Sequence, residues 1–97
     1  MIRHVVLFTW KPEATAEQLA AVATGLASLP GQVPGVRAYH FGTDAGLVDG
    51  NADFALTADF DDADAYLVYR NHPVHQAVIA QVITPILAQR VSAQFEF

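Results

Sequence analysis

Cysteine is absent, so disulfides, thiolate metal ligands and thiol nucleophiles are all excluded. Positive charge is scarce: five Lys or Arg stand against ten Asp or Glu, a net charge of −5 with histidine neutral. Nucleic-acid binding needs a basic face that neutralises phosphates, and five scattered cations do not make one. An anionic membrane surface is disfavoured for the same reason. Nor does any apolar run approach the ~20 residues needed to span a bilayer. The first residues, Met1-Ile2-Arg3-His4, lead straight into a strand-like pattern without the layout of a secretory signal. The expected setting is cytoplasmic, with neither nucleic acid nor membrane as a partner.

What the chain has in abundance is apolar side chain, 53% of residues against 15% charged. A single domain spanning residues 1–97 buries roughly 60–65% of its unfolded surface. That core is too small to hide so much apolar material, and the excess predicts a surface shared with another subunit.

Residues 2–10 alternate, with Ile2, His4, Val6, Phe8 and Trp10 on one side and Arg3, Val5, Leu7 and Thr9 on the other. Both sides carry apolar residues, which predicts a strand covered on both faces. Thr15 and Gln18 form a capping box for a helix over about 16–29, with Leu19, Val22, Ala23 and Leu26 inward. A Pro- and Gly-rich turn leads to a second strand from Val36 to about Phe41. Residues 42–51 form a loop long enough to fold over something. Phe54 to Phe60 make a third strand, and Asp61-Asp62-Ala63-Asp64 cap a second helix over about 63–70.

His72-Pro73 breaks that helix, because proline disfavours helical geometry in the residue before it. A third helix follows, with Val74, Ala77, Val78, Val82, Ile83 and Ile86 inward and a kink at Pro85. Val91, Ala93, Phe95 and Phe97 close the chain as a fourth strand. This order is the α+β, ferredoxin-like split βαβ: one four-stranded antiparallel sheet with helices on one face. A second copy packed sheet to sheet would cover Val5 and Leu7, so a homodimer is expected.

The residues that carry chemistry lie in Tyr66-Leu67-Val68-Tyr69-Arg70-Asn71-His72-Pro73-Val74-His75, where two tyrosines, an arginine and two histidines fall within ten positions. Such a cluster exchanges protons near neutral pH. His75 reads either as a general base or as a histidine that orients the turn. Tyr69 reads either as a hydrogen-bond donor to a ligand or as packing beside Tyr66. His72 precedes proline and is placed to lock the turn, or to touch a ligand. His4 faces inward, as a buried neutral histidine or a site residue. Phe8 and Trp10, with Phe41, Phe54 and Phe60, line an apolar pocket or fill it. Proline between His72 and His75 argues against a shared metal, and neither metal nor cofactor is expected.

His4-Val5-Val6-Leu7-Phe8-Thr9-Trp10-Lys11, Leu29-Pro30-Gly31-Gln32-Val33-Pro34-Gly35-Val36, Phe60-Asp61-Asp62 and Tyr69-Arg70-Asn71-His72-Pro73-Val74-His75 together resemble the stress-responsive A/B barrel domain. The resemblance runs through essentially the whole chain. It implies a dimeric α/β barrel made by two sheets. One relative, the plant olivetolic acid cyclase, closes a linear polyketide by aldol condensation. By resemblance to it, His75 takes the place of the catalytic histidine and Tyr69 that of its partner. His4 matches an N-terminal histidine, and Glu96 an acidic residue of the last strand. The leading expectation is a homodimeric barrel protein that binds a small apolar or aromatic ligand through Phe8, Trp10, Tyr66 and His72. The alternatives are a polyketide cyclase-like enzyme using His75 and Tyr69, and, by scaffold analogy alone, a small monooxygenase.

Overall fold

The computed structural model describes residues 1–97. Strand β1 (Ile2–Trp10) is followed by helix α1 (Ala16–Ser28), strands β2 (Val36–Thr43) and β3 (Phe54–Phe60), helices α2 (Ala63–Asn71) and α3 (Pro73–Val78), and strand β4 (Leu87–Glu96). The strands form one antiparallel sheet in the order β2-β3-β1-β4. The helices cover one face of it, which is the ferredoxin-like arrangement expected.

Alternation in β1 decides which face is inside. His4, Val6 and Phe8 are buried under the helices, together with Phe54, Leu56, Ala58 and Phe60 of β3. Val22 and Leu26 of α1, with Leu29, close the core from above. The capping box forms as expected: Thr15 Oγ1 accepts from the Gln18 amide at 3.2 Å, and Gln18 Oε1 accepts from the Thr15 amide at 2.9 Å. Asp62 caps α2 by accepting from the Ala65 amide at 2.9 Å. Each such cap satisfies an amide that would otherwise lack a partner, and contributes about 1 kcal/mol.

The chain after Pro73 departs most from expectation. The helix is regular only to Val78. Ile79–Ile83 then widen into a π-turn, with the Thr84 N–H donating to the Ile79 carbonyl, and Thr84–Ile86 tighten into a 3₁₀ turn. Pro85 lacks an N–H and its ring crowds the carbonyl four residues back, so a uniform α-helix cannot run through it. Ala77, expected inward, is exposed, while the inward stripe takes in His75 and Ile79. β4 starts at Leu87 rather than near Val91, because pairing with β1 continues back to Trp10↔Leu87. Ladder hydrogen bonds hold that stretch irrespective of its side chains, so an apolar pattern missed it.

Two regions of the sheet are left bare. On the side away from the helices, Leu7, Val91 and Phe95 are 39%, 54% and 48% exposed. On the helix side, the edge strand β4 is uncovered, with every residue from Ala88 to Glu96 exposed. No helix is long and apolar enough to cross a membrane.

Candidate functional site

The second bare region opens a cavity of about 280 Å³ between the sheet and the helices. Its apolar wall is Val6, Phe8, Leu26, Leu56 and Ile79, and its polar groups are His4, Tyr69, Arg70, His75, Gln76 and Arg90. The aromatic interior is thus divided. Trp10 and Phe54 pack against Phe8, with Phe8 and Trp10 stacked at 5.3 Å, and Phe41 stacks on Phe54, so that these rings fill one end of the core. The end beside His4 and His75 stays hollow.

The break at Pro73 sets the state of His75. In an unbroken helix the Val74 N–H would bond the Arg70 carbonyl. Here it donates instead to Nδ1 of His72 at 3.1 Å, and His72 serves as the N-cap of α3. The freed Arg70 carbonyl accepts from Nδ1 of His75 at 3.0 Å and from the Gln76 side-chain amide. A carbonyl only accepts, so the His75 proton sits on Nδ1 and Nε2 keeps its lone pair. Burial, assisted by Arg90, lowers the His75 pKa below the ordinary histidine value, against a smaller opposing effect of the Arg70 carbonyl. His75 is therefore a neutral imidazole with a free basic nitrogen at neutral pH.

His4 is buried on β1, and burial, then the charges of Arg90 and His75, push its pKa down to about 4. Its Nδ1 accepts from the Gln94 side-chain amide at 2.9 Å, which leaves the ring proton on Nε2. Tyr69 is buried, its ring 4.3 Å from that of His75, and its hydroxyl is 3.0 Å from that of Tyr39. Burial raises both phenol pKa values, so both stay protonated. The cavity thus holds one acceptor imidazole, one donor imidazole and a protonated phenol, and no carboxylate. Such a set can take a proton from carbon and bond the oxygen that gains charge.

His75, Tyr69, His4 and Phe8 meet in this cavity. Tyr66 stands behind it, its ring 5.0 Å from that of His4, and Trp10 lies beyond Phe8. His72 does not line the cavity, since its ring is engaged in the cap. Glu96 does not reach it either. Glu96 pairs with Ile2 at the end of the sheet, and Gln94 occupies the position across from His4. The acidic partner expected in the last strand is thus replaced by a neutral amide two residues earlier. Composition and periodicity did not reveal Tyr39, Arg90 or Gln94 as site neighbours, because only strand register brings them there. No group of three or more His, Asp or Glu side chains assembles a metal site.

Fold and cavity together define a ferredoxin-like α+β protein with a histidine- and tyrosine-lined pocket between sheet and helices. Residues 2–97 match the Stress responsive A/B Barrel Domain, and the chain belongs to that family. An uncharacterized protein of Streptomyces coelicolor is 32% identical over 99 residues, covering all of both chains. A crystal structure of a dimeric ferredoxin-like protein of unknown function from Thermobifida fusca superposes with a TM-score of 0.91 at 45% identity, covering 99% of this chain and 90% of that one. The hydroxynitrile lyase of Passiflora edulis has the same fold, with a TM-score of 0.84 at 18% identity over 97% of this chain and 90% of its own.

Proposed function

We propose that the protein is a homodimer whose cavity binds a small aromatic or apolar carbonyl compound, with His75 as base and Tyr69 as hydrogen-bond donor. In the step envisaged, a C–H bond next to the carbonyl breaks and its proton passes to Nε2 of His75. The electron pair moves onto the carbonyl oxygen, where the Tyr69 hydroxyl steadies the enolate. The resulting carbon nucleophile suits an aldol-type ring closure. The observation that carries this reading is the bond from His75 Nδ1 to the Arg70 carbonyl, which leaves a neutral, lone-pair-bearing nitrogen on a cavity-lining ring.

The dimer is supported by the dimeric Thermobifida fusca neighbour at 45% identity and by the bare apolar sheet face. The lyase neighbour supports only the idea that this scaffold carries chemistry.

The test is a thermal-shift screen of wild type and His75→Ala with phenolic acids, quinones and diketones, followed by deuterium exchange at the α-carbon of any binder. Saturation at 100 times the dissociation constant stabilises by about 2.7 kcal/mol, which is easily seen. The reading expects a shift selective for one class and α-proton exchange that His75→Ala abolishes with the fold intact. No shift with any class, or exchange indifferent to His75→Ala, would overturn it.

A further inference from the structure

The cations of this chain divide into two groups. Arg3 is bound in a fork by Asp59, with Nε and Nη2 at 2.7 and 2.9 Å from its oxygens. Arg37 is bound the same way by Asp61, at 3.0 and 2.7 Å. Lys11 reaches the Pro85 carbonyl. The remaining two, Arg70 and Arg90, form no salt bridge, and both line the cavity. This happens in a chain where acids outnumber Lys and Arg by ten to five, yet not one acid lines that cavity. Chance pairing on an acidic surface would favour the opposite.

Register explains how Arg90 reaches the site. It lies across from Phe8 in the β1–β4 ladder, so its side chain leaves the sheet on the same face as Phe8. From there its charge reaches His4, Tyr69 and His75 alike: it adds to the effect of burial in lowering the two histidines, and in Tyr69 it opposes only slightly the larger rise that burial causes. A guanidinium is a planar fork whose geometry matches a carboxylate, and a charge-assisted pair of this kind is among the stronger hydrogen bonds. The hollow itself is small. About 280 Å³ lies at the low end for ligand sites, which suits one ring with short substituents rather than a nucleotide cofactor.

We propose that the ligand of this cavity is a single-ring organic carboxylate, its anionic group held by Arg90 with Arg70 beside it, and its ring against Phe8 and Ile79. This rests on the reading of the cavity as a binding site and names the class of molecule it takes. The anion enters from the bare β4 side, and the apolar ring faces the base.

Calorimetric titration of the full chain with 4-hydroxyphenylacetate, benzoate and phenylpyruvate, each beside its neutral primary amide, tests the proposal. Wild type is expected to prefer acid over amide by about ten-fold, the value of one hydrogen bond to a charged group. Arg90→Gln should remove most of that preference, weakening the acid far more than the amide, and Arg90→Lys should restore part of it. Arg90 is exposed on an edge strand, so these variants keep the fold. Equal affinity for acid and amide in wild type, or a preference that survives Arg90→Gln, overturns the proposal and leaves the cavity reading standing. If neither acids nor amides bind, while diketones do, the carboxylate assignment alone fails. If nothing binds, the cavity reading fails and this inference with it.

Discussion

The hydroxyl oxygens of Tyr39 and Tyr69 lie 3.0 Å apart, joining β2 to α2 through one hydrogen bond beneath the cavity. One hydroxyl donates to the other in a largely dry setting, so removing either takes away the partner of a buried polar group. Tyr39→Phe and Tyr69→Phe should each destabilise by about 1–2 kcal/mol in urea denaturation, and the double variant by less than their sum. Simple additivity would show that the two hydroxyls do not depend on each other. Only Tyr69→Phe should also weaken ligand binding, because Tyr39 does not line the cavity.

His4 predicts a pH dependence. Its folded pKa of about 4 lies below the ordinary 6.5, so below pH 6.5 the unfolded chain takes up a proton that the native state refuses. Its contribution is full above pH 6.5 and declines as pH falls toward 4. Between pH 7 and pH 5 the loss should be about 2 kcal/mol, in a window above the depressed carboxylates Asp59 and Asp61. Urea titrations of wild type and His4→Gln at the two pH values check this. An identical pH slope in the variant would assign the effect elsewhere. His75, also depressed, acts in the same direction.

His72 and His75 should separate cleanly on substitution. His72 caps α3 through Nδ1, so His72→Ala should cost about 1 kcal/mol in stability, and His72→Asn should recover most of it as a good N-cap. Losing the cap leaves the Val74 amide unpaired and loosens the turn in which the Arg70 carbonyl holds His75. The expected result is a modest fall in ligand affinity for His72→Ala and none for His72→Asn. Denaturation curves and binding isotherms on the same preparations decide it. Full loss of binding in His72→Asn would give His72 a direct role.

The bare sheet face predicts assembly. Leu7 and Val91 are partners in the β1–β4 register and both are exposed. Sedimentation should find wild type dimeric and Leu7→Glu/Val91→Glu monomeric, since paired charges cannot be buried without partners. A wild type that stays monomeric at all concentrations would refute the dimer and leave this apolar face unexplained.

Much of the fold was legible because its signals are local. Alternation in residues 2–10, the Thr15–Gln18 box, Asp62 and the His72-Pro73 break each act through near neighbours, and the resulting elements stand within a few residues of expectation. The start of β4 was not legible, because Ala88, Gln89 and Arg90 have no apolar pattern and are held by backbone pairing to β1. The site divides along the same line. His75 and Tyr69 stand out in sequence through their shared cluster, whereas Tyr39, Arg90 and Gln94 are scattered residues without a motif.

The amino-acid sequence by itself therefore determined the order of elements, the apolar excess and the histidine–proline break, since each follows from propensity, periodicity or the missing N–H of proline. Tertiary structure alone decided that the core is hollow at one end, that Glu96 stands away from His4 while Gln94 faces it, and that two arginines without acidic partners meet at the opening. Those facts depend on strand register and on how far the helices extend over the sheet. Both are set by packing among residues distant in the chain, so no local pattern encodes them.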